Sequence, residues 1–201
     1  DVSGAGTFLV TAEDVAEWWP SRSADAHKWN GAVRVVAGSP GMLGAGRLCA
    51  AAAARSGAGL VALSSPGIDP LARSEIIQRP TPAAGFDTDV LDDLHRFAAL
   101  VVGPGLGRSE ATIAGVRRLI AEATVPMVID GDGLFAAAWS ADAPASLLRD
   151  RGLPTVLTPH DGEFTLLRGT GPAADRIAAT RELAVDLGCT VLLKGPTTVI
   201  A

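Results

Sequence analysis

The sequence is poor in aromatic residues and in basic charge. The first shortage indicates what kind of core the protein has, and the second excludes a class of ligand. Aromatic side chains make up 4% of the 201 residues and hydrophobic side chains 48%, so we expect one sizeable core packed from small and β-branched residues. Lys and Arg number 17 against 22 Asp and Glu, which gives a formal net charge of −5. Because nucleic-acid binding needs a basic face, this composition argues against it.

Cysteine is also scarce, and long apolar runs are missing. Cys49 and Cys189 stand far apart in apolar surroundings, with no Cys-x-x-Cys or Cys/His cluster, so we expect buried free thiols and no zinc site. The apolar runs are too short, or too interrupted by Arg47 and Arg55, to span a bilayer. Residues 1–20 contain no basic residue, which is not typical of a signal peptide. The sequence therefore predicts a soluble, cytoplasmic protein that binds no membrane.

Short apolar runs alternate along the chain with segments of helical pattern. Strands are predicted at 32–37, 60–64, 99–102, 126–129, 155–157 and 190–193, and a further strand begins at 198–201. Helices are predicted at about 43–56, 109–123, 133–139, 161–168 and 173–187. Such alternation is typical of βαβ units, so we expect an α/β fold with a mostly parallel central sheet covered on both faces.

Two segments do not fit the alternation. Residues 65–87 contain several prolines and are expected to be irregular. Residues 1–26 are interpreted as an N-terminal arm or the end of a preceding domain, with a short helix that begins at Thr11 and ends at TrpTrpPro. The principal domain is then expected to occupy residues 27–201.

Five loops rich in glycine or polar residues follow predicted strands. They are GSPGMLGAG (38–46), GPGLG (103–107), DGDGL (130–134), TPHDGEF (158–164) and KGPTT (194–198). Ligands of an open parallel sheet bind beyond the carboxyl ends of its strands, so we expect the five loops to form one extended binding site.

The first two loops carry no reactive side chain but several glycines. Glycine lets a backbone approach a ligand closely, and a helix N-terminus after such a loop offers free N–H groups to an anion. Neither a Gly-x-Gly-x-x-Gly dinucleotide motif nor a P-loop is present. These loops are therefore either close-approach surfaces for a ligand or simple tight turns.

The other three loops carry candidate side chains, and each has a structural alternative. Asp130 could hold Mg²⁺ through water or bind a ribose hydroxyl, whereas Asp132 more simply caps the next helix. His160 is the one histidine in a loop of this kind, and Glu163 beside it is either functional or a helix cap.

The KGPTT loop adds a cation. Lys194 is one of only two lysines in the chain and suits a phosphate group as a compact point charge, unless it is merely solvated. Thr197 and Thr198 either add hydroxyl hydrogen bonds to a ligand or belong to the next strand.

In this order and at this spacing, the five loops resemble those of the ADP- or ATP-dependent NAD(P)H-hydrate dehydratases, the carbohydrate-kinase-like half of a bifunctional NAD(P)H-hydrate repair enzyme. The resemblance runs from about His27 to Ala201 and implies a ribokinase-like three-layer fold. It implies a reaction in which ADP, with Mg²⁺, phosphorylates the hydroxyl of the hydrated nicotinamide ring. Loss of phosphate then restores NAD(P)H.

The resemblance also implies roles for particular residues. Ala45, Gly105 and His160 would contact the hydrated dinucleotide. Asp130 and Glu163 are supporting candidates on the chemistry of their own loops. The ADP side would be lined by Lys194, Gly195, Pro196, Thr197 and Thr198.

The family's glycine-rich loop that ends in the catalytic Asp would lie beyond Ala201. The resemblance therefore predicts that the C-terminal part of the fold is missing, that no catalytic residue lies within the chain and that the chain alone gives no turnover. It further implies a homo-oligomer and a fused or partner NAD(P)H-hydrate epimerase. Two alternatives remain, a small-molecule kinase of the same fold for a vitamin or sugar and a non-catalytic nucleotide-binding module.

Overall fold

An eight-stranded sheet forms the centre of the protein in the computed structural model, which describes residues 6–138 and 144–201. The strands are β1 (Ala32–Val36), β2 (Leu60–Ser65), β3 (Ile77–Pro80), β4 (Ala99–Val102), β5 (Met127–Ile129), β6 (Thr155–Leu157), β7 (Thr190–Leu193) and β8 (Val199–Ile200). Their order across the sheet is β3-β2-β1-β4-β5-β6-β7-β8. All neighbouring pairs are parallel except β7 and β8, so the predicted mostly parallel sheet is confirmed.

Helices cover both faces of this sheet. They are α1 (Ala12–Trp18), α2 (Leu43–Arg55), α3 (Phe86–Asp93), α4 (Glu110–Glu122), α5 (Asp132–Ala138), α6 (Pro144–Asp150), α7 (Asp161–Arg168) and α8 (Arg176–Leu187). Alternate residues of β1 face two separate cores, since Val35 packs with Ala50 of α2 while Val36 belongs to the larger cluster that contains Val116 of α4. The three-layer arrangement follows from this period-2 alternation.

Small residues and caps explain where the helices next to the loops sit. A Cβ atom on Gly46 would lie 2.9 Å from the carbonyl oxygen of Ala37, so only glycine lets α2 pack this closely against the end of β1. At α4, the side chain of Ser109 accepts a hydrogen bond from the backbone of Thr112, which is a standard N-cap. Both helices therefore begin directly at the glycine-rich loops.

Arg151 fixes the far end of α4. Its guanidinium donates hydrogen bonds to the carbonyl oxygens of Ile120 (3.2 Å), Ala123 (2.7 Å) and Val125, and Arg151 itself is 9% exposed. These carbonyls belong to the last turn of α4 and to the link into β5, which have no helical partners of their own. Arg151 also lies near Cys189, where burial raises the pKa of the thiol to about 11 against a smaller opposing effect of the guanidinium charge.

The prediction that residues 65–87 are irregular is wrong in part. Residues Ile77–Pro80 form the edge strand β3, and Phe86 begins α3. An edge strand needs no fully apolar face, and none of the four residues of β3 is buried, so it lacked the apolar pattern that marks a central strand. Helix α6 was also not predicted, and the predicted helix over 133–139 is seen as α5, with residue 139 outside the described residues.

The N-terminal helix begins as predicted. Thr11 accepts a hydrogen bond from the backbone of Asp14, and Asp14 accepts one from Thr11 in return, so Asp can complete a capping box. Residues 1–5 of the predicted arm lie outside the described residues. Its interpretation as an arm or a domain end stays a prediction. None of the helices in residues 6–138 and 144–201 has the length and apolar character that a membrane crossing requires. Both cysteines are free, as expected, with Cys189 buried and Cys49 half-buried.

Candidate ligand-binding site

The five loops lie side by side at one edge of the sheet, here called the binding edge. They follow β1, β4, β5, β6 and β7, which are consecutive parallel neighbours in the sheet. Backbone hydrogen bonds join neighbouring loops or the strand ends beneath them, from Gly38 to Pro104 at 2.8 Å, from Thr158 to Ile129 at 3.2 Å and from Lys194 to Pro159 at 2.8 Å. The expectation that the loops meet on one edge agrees with this geometry.

Ala45 and Gly105 touch each other across the first two loops. Gly105 has φ +66°, and a Cβ atom built on it would lie 2.9 Å from the Cβ of Ala45. Glycine is therefore required at 105 both by its backbone angle and by the contact. The two residues that the sequence assigns to one ligand are thus direct neighbours.

The GPGLG loop is equally close to the DGDGL loop. A Cβ on Gly103 would overlap the carbonyl oxygen of Asp130 and lie 2.6 Å from the backbone nitrogen of Gly133. The carboxylate of Asp132 accepts hydrogen bonds from the backbone of Gly107 and from Nε of Arg108, both at 2.8 Å. Asp132 is the first residue of α5 rather than the N-cap that the sequence suggested, and its carboxylate holds the neighbouring loop instead.

A charged cluster occupies the centre of the binding edge. The ammonium of Lys194 lies 2.7 Å from Oδ1 of Asp130 and 3.7 Å from Oε2 of Glu163. The side chain of Glu163 is only 9% exposed, whereas those of Lys194 and Asp130 are 40% and 31% exposed. Lys194 is therefore ion-paired rather than merely solvated, and its ammonium stays within reach of a ligand from solvent.

His160 caps α7 and keeps its imidazole open to solvent. Its Nδ1 accepts hydrogen bonds from the backbone of Gly162 (3.0 Å) and Glu163 (3.2 Å), and Glu163 accepts one from the backbone of His160 (2.9 Å). The predicted capping role of Glu163 is confirmed as half of this capping box. Since Nδ1 is an acceptor, the proton of the neutral ring is on Nε2, and the side chain is 61% exposed.

Arg176 is a residue of this edge that sequence analysis missed. Its guanidinium lies 2.8 Å from Oδ1 of Asp161 and donates to the carbonyl oxygen of Lys194 at 3.0 Å. A Cβ on Gly195 would lie 2.7 Å from the same guanidinium. Arg176 therefore joins the TPHDGEF loop to the KGPTT loop. No local motif marks it, because its partners are distant in the sequence.

The remainder of the KGPTT loop is open. Gly195, Pro196, Thr197 and Thr198 are all exposed, and β8 begins only at Val199. Both threonines thus belong to the loop and not to the strand, and both are exposed to solvent.

The carboxylates of the binding edge do not form a cage for a metal ion in the described residues. In residues 6–138 and 144–201, no group of three His, Cys, Asp or Glu side chains is close enough to hold one. The candidate Asp130 is ion-paired with Lys194, and Asp132 is held by Arg108. This arrangement fits a Mg²⁺ ion that arrives on ligand phosphates and keeps most of its water, rather than one in a cage of protein ligands.

The chain is similar to known proteins in sequence and in structure. A family model described as NAD(P)H-hydrate dehydratase matches residues 33–201. The bifunctional NAD(P)H-hydrate repair enzyme of Mycobacterium tuberculosis H37Rv is 42% identical in an alignment of 204 positions that covers 100% of this chain and 40% of that protein. The enzyme of the same description from Salinibacter ruber is 40% identical in an alignment of 206 positions that covers 96% of this chain and 38% of that protein. The chain thus spans about two fifths of the length of these relatives.

Solved structures agree with the sequence comparison. The ADP/ATP-dependent NAD(P)H-hydrate dehydratase from Bacillus subtilis, co-crystallized with ATP and Mg²⁺, gives a TM-score of 0.75 at 29% identity and covers 95% of this chain and 68% of its own. A ribokinase-like superfamily protein from Enterococcus faecalis V583 gives a TM-score of 0.76 at 21% identity, with 95% and 67% covered. The second comparison bears on the fold alone, which is ribokinase-like as expected.

Proposed function

Because the chain belongs to the NAD(P)H-hydrate dehydratase family, we propose that its binding edge holds ADP and hydrated NAD(P)H side by side for the ADP-dependent reaction that restores NAD(P)H. The single observation that carries the proposal is the position of Lys194. Lys194 belongs to the KGPTT loop proposed for ADP, and its ammonium reaches Asp130 and also Glu163 of the His160 loop proposed for the dinucleotide.

The proposed reaction has two steps. The hydroxyl oxygen of the hydrated ring attacks the terminal phosphorus of ADP, the bond to the bridging oxygen breaks, and AMP leaves while the hydroxyl proton is released. The carbon–oxygen bond then breaks, inorganic phosphate leaves with the electron pair, and the neighbouring ring carbon loses a proton, which restores the double bond of NAD(P)H. Lys194 is proposed to neutralise charge on the transferred phosphoryl group.

Neutral groups of the edge are proposed to orient the dinucleotide. Ala45 and Gly105 offer a smooth contact surface at the N-terminus of α2, where free backbone N–H groups favour an anion such as pyrophosphate. His160 presents a hydrogen-bond donor at Nε2, because its other nitrogen is occupied by the cap of α7. Thr197 and Thr198 are proposed to contact ADP through their hydroxyl groups.

The base that removes the hydroxyl proton is proposed to come from outside this set of residues. Four carboxylates of the binding edge are already held by cations of the protein, since Asp130 pairs with Lys194, Asp132 with Arg108, Asp161 with Arg176 and Glu163 with Lys194. We therefore expect the 201-residue chain to bind both ligands without turnover.

Mg²⁺ is proposed to enter with ADP. When bound, it supplies positive charge beside the phosphates during transfer. Asp130 is the nearest candidate for a water-mediated contact, because its carboxylate is partly exposed next to Lys194.

The test uses calorimetry on the 201-residue chain with the hydrate of NADPH and with ADP and Mg²⁺. His160→Asn is the decisive variant, because Asn still caps α7 but lacks Nε2. We expect unchanged thermal unfolding, unchanged ADP affinity and a loss of about 2- to 10-fold in hydrate affinity, the value of one neutral hydrogen bond. His160→Ala serves as the comparison that also loses the cap.

Three outcomes would contradict the proposal in different ways. A chain that binds ADP but no hydrate would favour a nucleotide-binding module. A stable phosphoester on a vitamin or sugar would favour a small-molecule kinase. Recovery of NADPH absorbance by the chain alone would show that the base is among its own residues. A homo-oligomeric state and an epimerase partner are further proposals, the latter supported by relatives described as bifunctional.

A further inference from the structure

A cavity of about 200 Å³ opens at the binding edge on the opposite side of the GPGLG loop from Lys194. Its floor is apolar and comprises Val36 at the end of β1, Phe86 of α3 and Leu106. Pro66 and Pro82 line its walls beyond β2 and β3. We refer to it as the β1–β2 cavity.

The β1–β2 cavity is lined by residues of the same two loops that carry Ala45 and Gly105, although these two residues do not line it themselves. Ser39 and Pro40 of the GSPGMLGAG loop line it, and so does Leu106, which directly follows Gly105. Two loops of the proposed dinucleotide side therefore line the cavity, and the KGPTT loop does not.

The order of the strands gives the direction in which a dinucleotide must run. Lys194 follows β7, His160 follows β6, Gly105 follows β4, and the cavity lies beyond β1 and β2. Neighbouring strands are about 4.8 Å apart, so four strand spacings, or about 19 Å, separate the ends of β6 and β2. A ligand whose hydrated ring lies beside Lys194 and His160 extends away from ADP toward this cavity.

The size and chemistry of the cavity select a single flat ring. Pockets for drug-sized ligands measure about 300–1,000 Å³, so about 200 Å³ suits one ring system rather than a nucleotide. Proline and phenylalanine faces suit the faces of a heterocycle, while the half-buried Ser39 and Thr81 offer hydroxyl groups to its polar edge. The one charged residue among the described lining residues is Arg108, which is engaged by Asp132.

We propose that the β1–β2 cavity binds the adenine ring of the hydrated dinucleotide, so that the ligand spans the binding edge from β6 to β2. The inference rests on the proposed function and adds the position of the second half of the substrate.

Two neighbouring alanines provide the test. Ala83 is exposed and lines the cavity, whereas Ala84 is exposed but does not line it. Ala83→Trp should fill the cavity without disturbing the fold, and Ala84→Trp is the matched control. Calorimetry with the hydrates of NADPH and of reduced nicotinamide mononucleotide, and with ADP, separates the dinucleotide's adenine from that of ADP.

We expect Ala83→Trp to weaken binding of the dinucleotide hydrate at least 10-fold and to leave the mononucleotide hydrate and ADP unchanged. Ala84→Trp should bind all three ligands as the wild type does. Thr81→Val, which removes a hydroxyl at constant shape, should cost a few-fold for the dinucleotide hydrate only.

Dinucleotide affinity that is equal in Ala83→Trp and wild type would overturn the inference and leave the proposed function standing. The same follows if the wild type binds the two hydrates equally well, or if Ala83→Trp weakens ADP instead. A wild-type chain that binds neither hydrate would overturn the proposed function itself and this inference with it.

Discussion

Replacing Lys194 with alanine separates a role in binding from a role in stability. The ion pair between Lys194 and Asp130 joins side chains that are 40% and 31% exposed, and pairs this accessible to water stabilise a fold by about 0–1 kcal/mol. Glu163 keeps its hydrogen bond from the backbone of His160 when the lysine is removed. The free energy of unfolding should therefore fall by less than about 1 kcal/mol.

The effect on ADP should be larger. A hydrogen bond between an ammonium and a phosphate is charge-assisted and worth about 1.5–3 kcal/mol, which corresponds to a loss of roughly 10- to 150-fold in affinity. Lys194→Arg should restore only part of it, because the planar guanidinium does not match a compact ammonium. Lys28→Ala is the matched control, since Lys28 is the other lysine of the chain and is exposed before β1.

Calorimetry at one fixed salt concentration measures these affinities, and urea unfolding measures stability. Equal ADP affinity in wild type and Lys194→Ala would remove Lys194 from the ligand site. A similar loss in Lys28→Ala would show that net charge, rather than the position of Lys194, decides binding.

Three further predictions concern the scaffold. Gly103→Ala should lower the free energy of unfolding by more than about 3 kcal/mol, because the added Cβ would overlap a neighbouring loop. Gly107→Ala should lower it by only about 1–2 kcal/mol, because Gly107 has φ +82° but nothing within 4 Å of an added Cβ. Urea titrations measure both values, and equal losses would refute the steric argument. Arg151→Met should lower the free energy of unfolding by about 3 kcal/mol or more, because three carbonyl oxygens lose their hydrogen-bond donor at about 1–3 kcal/mol each. A loss below about 1 kcal/mol would show that water replaces the guanidinium as the donor. In the folded protein the pKa of the Cys189 thiol is about 11, against an ordinary value of 9.0, so the unfolded chain releases this proton at lower pH. The free energy of unfolding should therefore fall as pH rises from 9 to 11, by at most about 3 kcal/mol. Urea titrations across this range should show no such fall in Cys189→Ala.

The sequence predicts the central strands because their residues are buried on both faces and form continuous apolar runs. It also predicts the glycine-rich loops, since they must follow such strands in a parallel sheet. The edge strand β3 escaped prediction because none of its four residues is buried, so packing gives it no apolar signature. The hydrogen bonds with its neighbour β2, rather than side-chain packing, hold β3 in the sheet.

The charged contacts of the binding edge could not be predicted residue by residue. Lys194 and Asp130 are 64 positions apart, and Arg108 and Asp132 are 24 apart, so no local pattern joins them. Glu163 differs, because its capping interaction with His160 joins residues three positions apart. The sequence therefore offered a helix cap as one alternative for Glu163. Sequence analysis thus found the loops but not the partners that hold their side chains.

The adjacency of β1 and β4 in the sheet makes the location of the ligand site depend on chain connectivity. These strands are neighbours, yet the chain leaves β1 toward β2 and leaves β4 toward β5, with α2 and α4 on opposite faces of the sheet. Such a topological switch point opens a crevice between the two departing loops, whatever side chains they carry. Substitutions in these loops can change which molecule is held there, but the crevice itself is a product of chain connectivity and would persist through extensive sequence divergence.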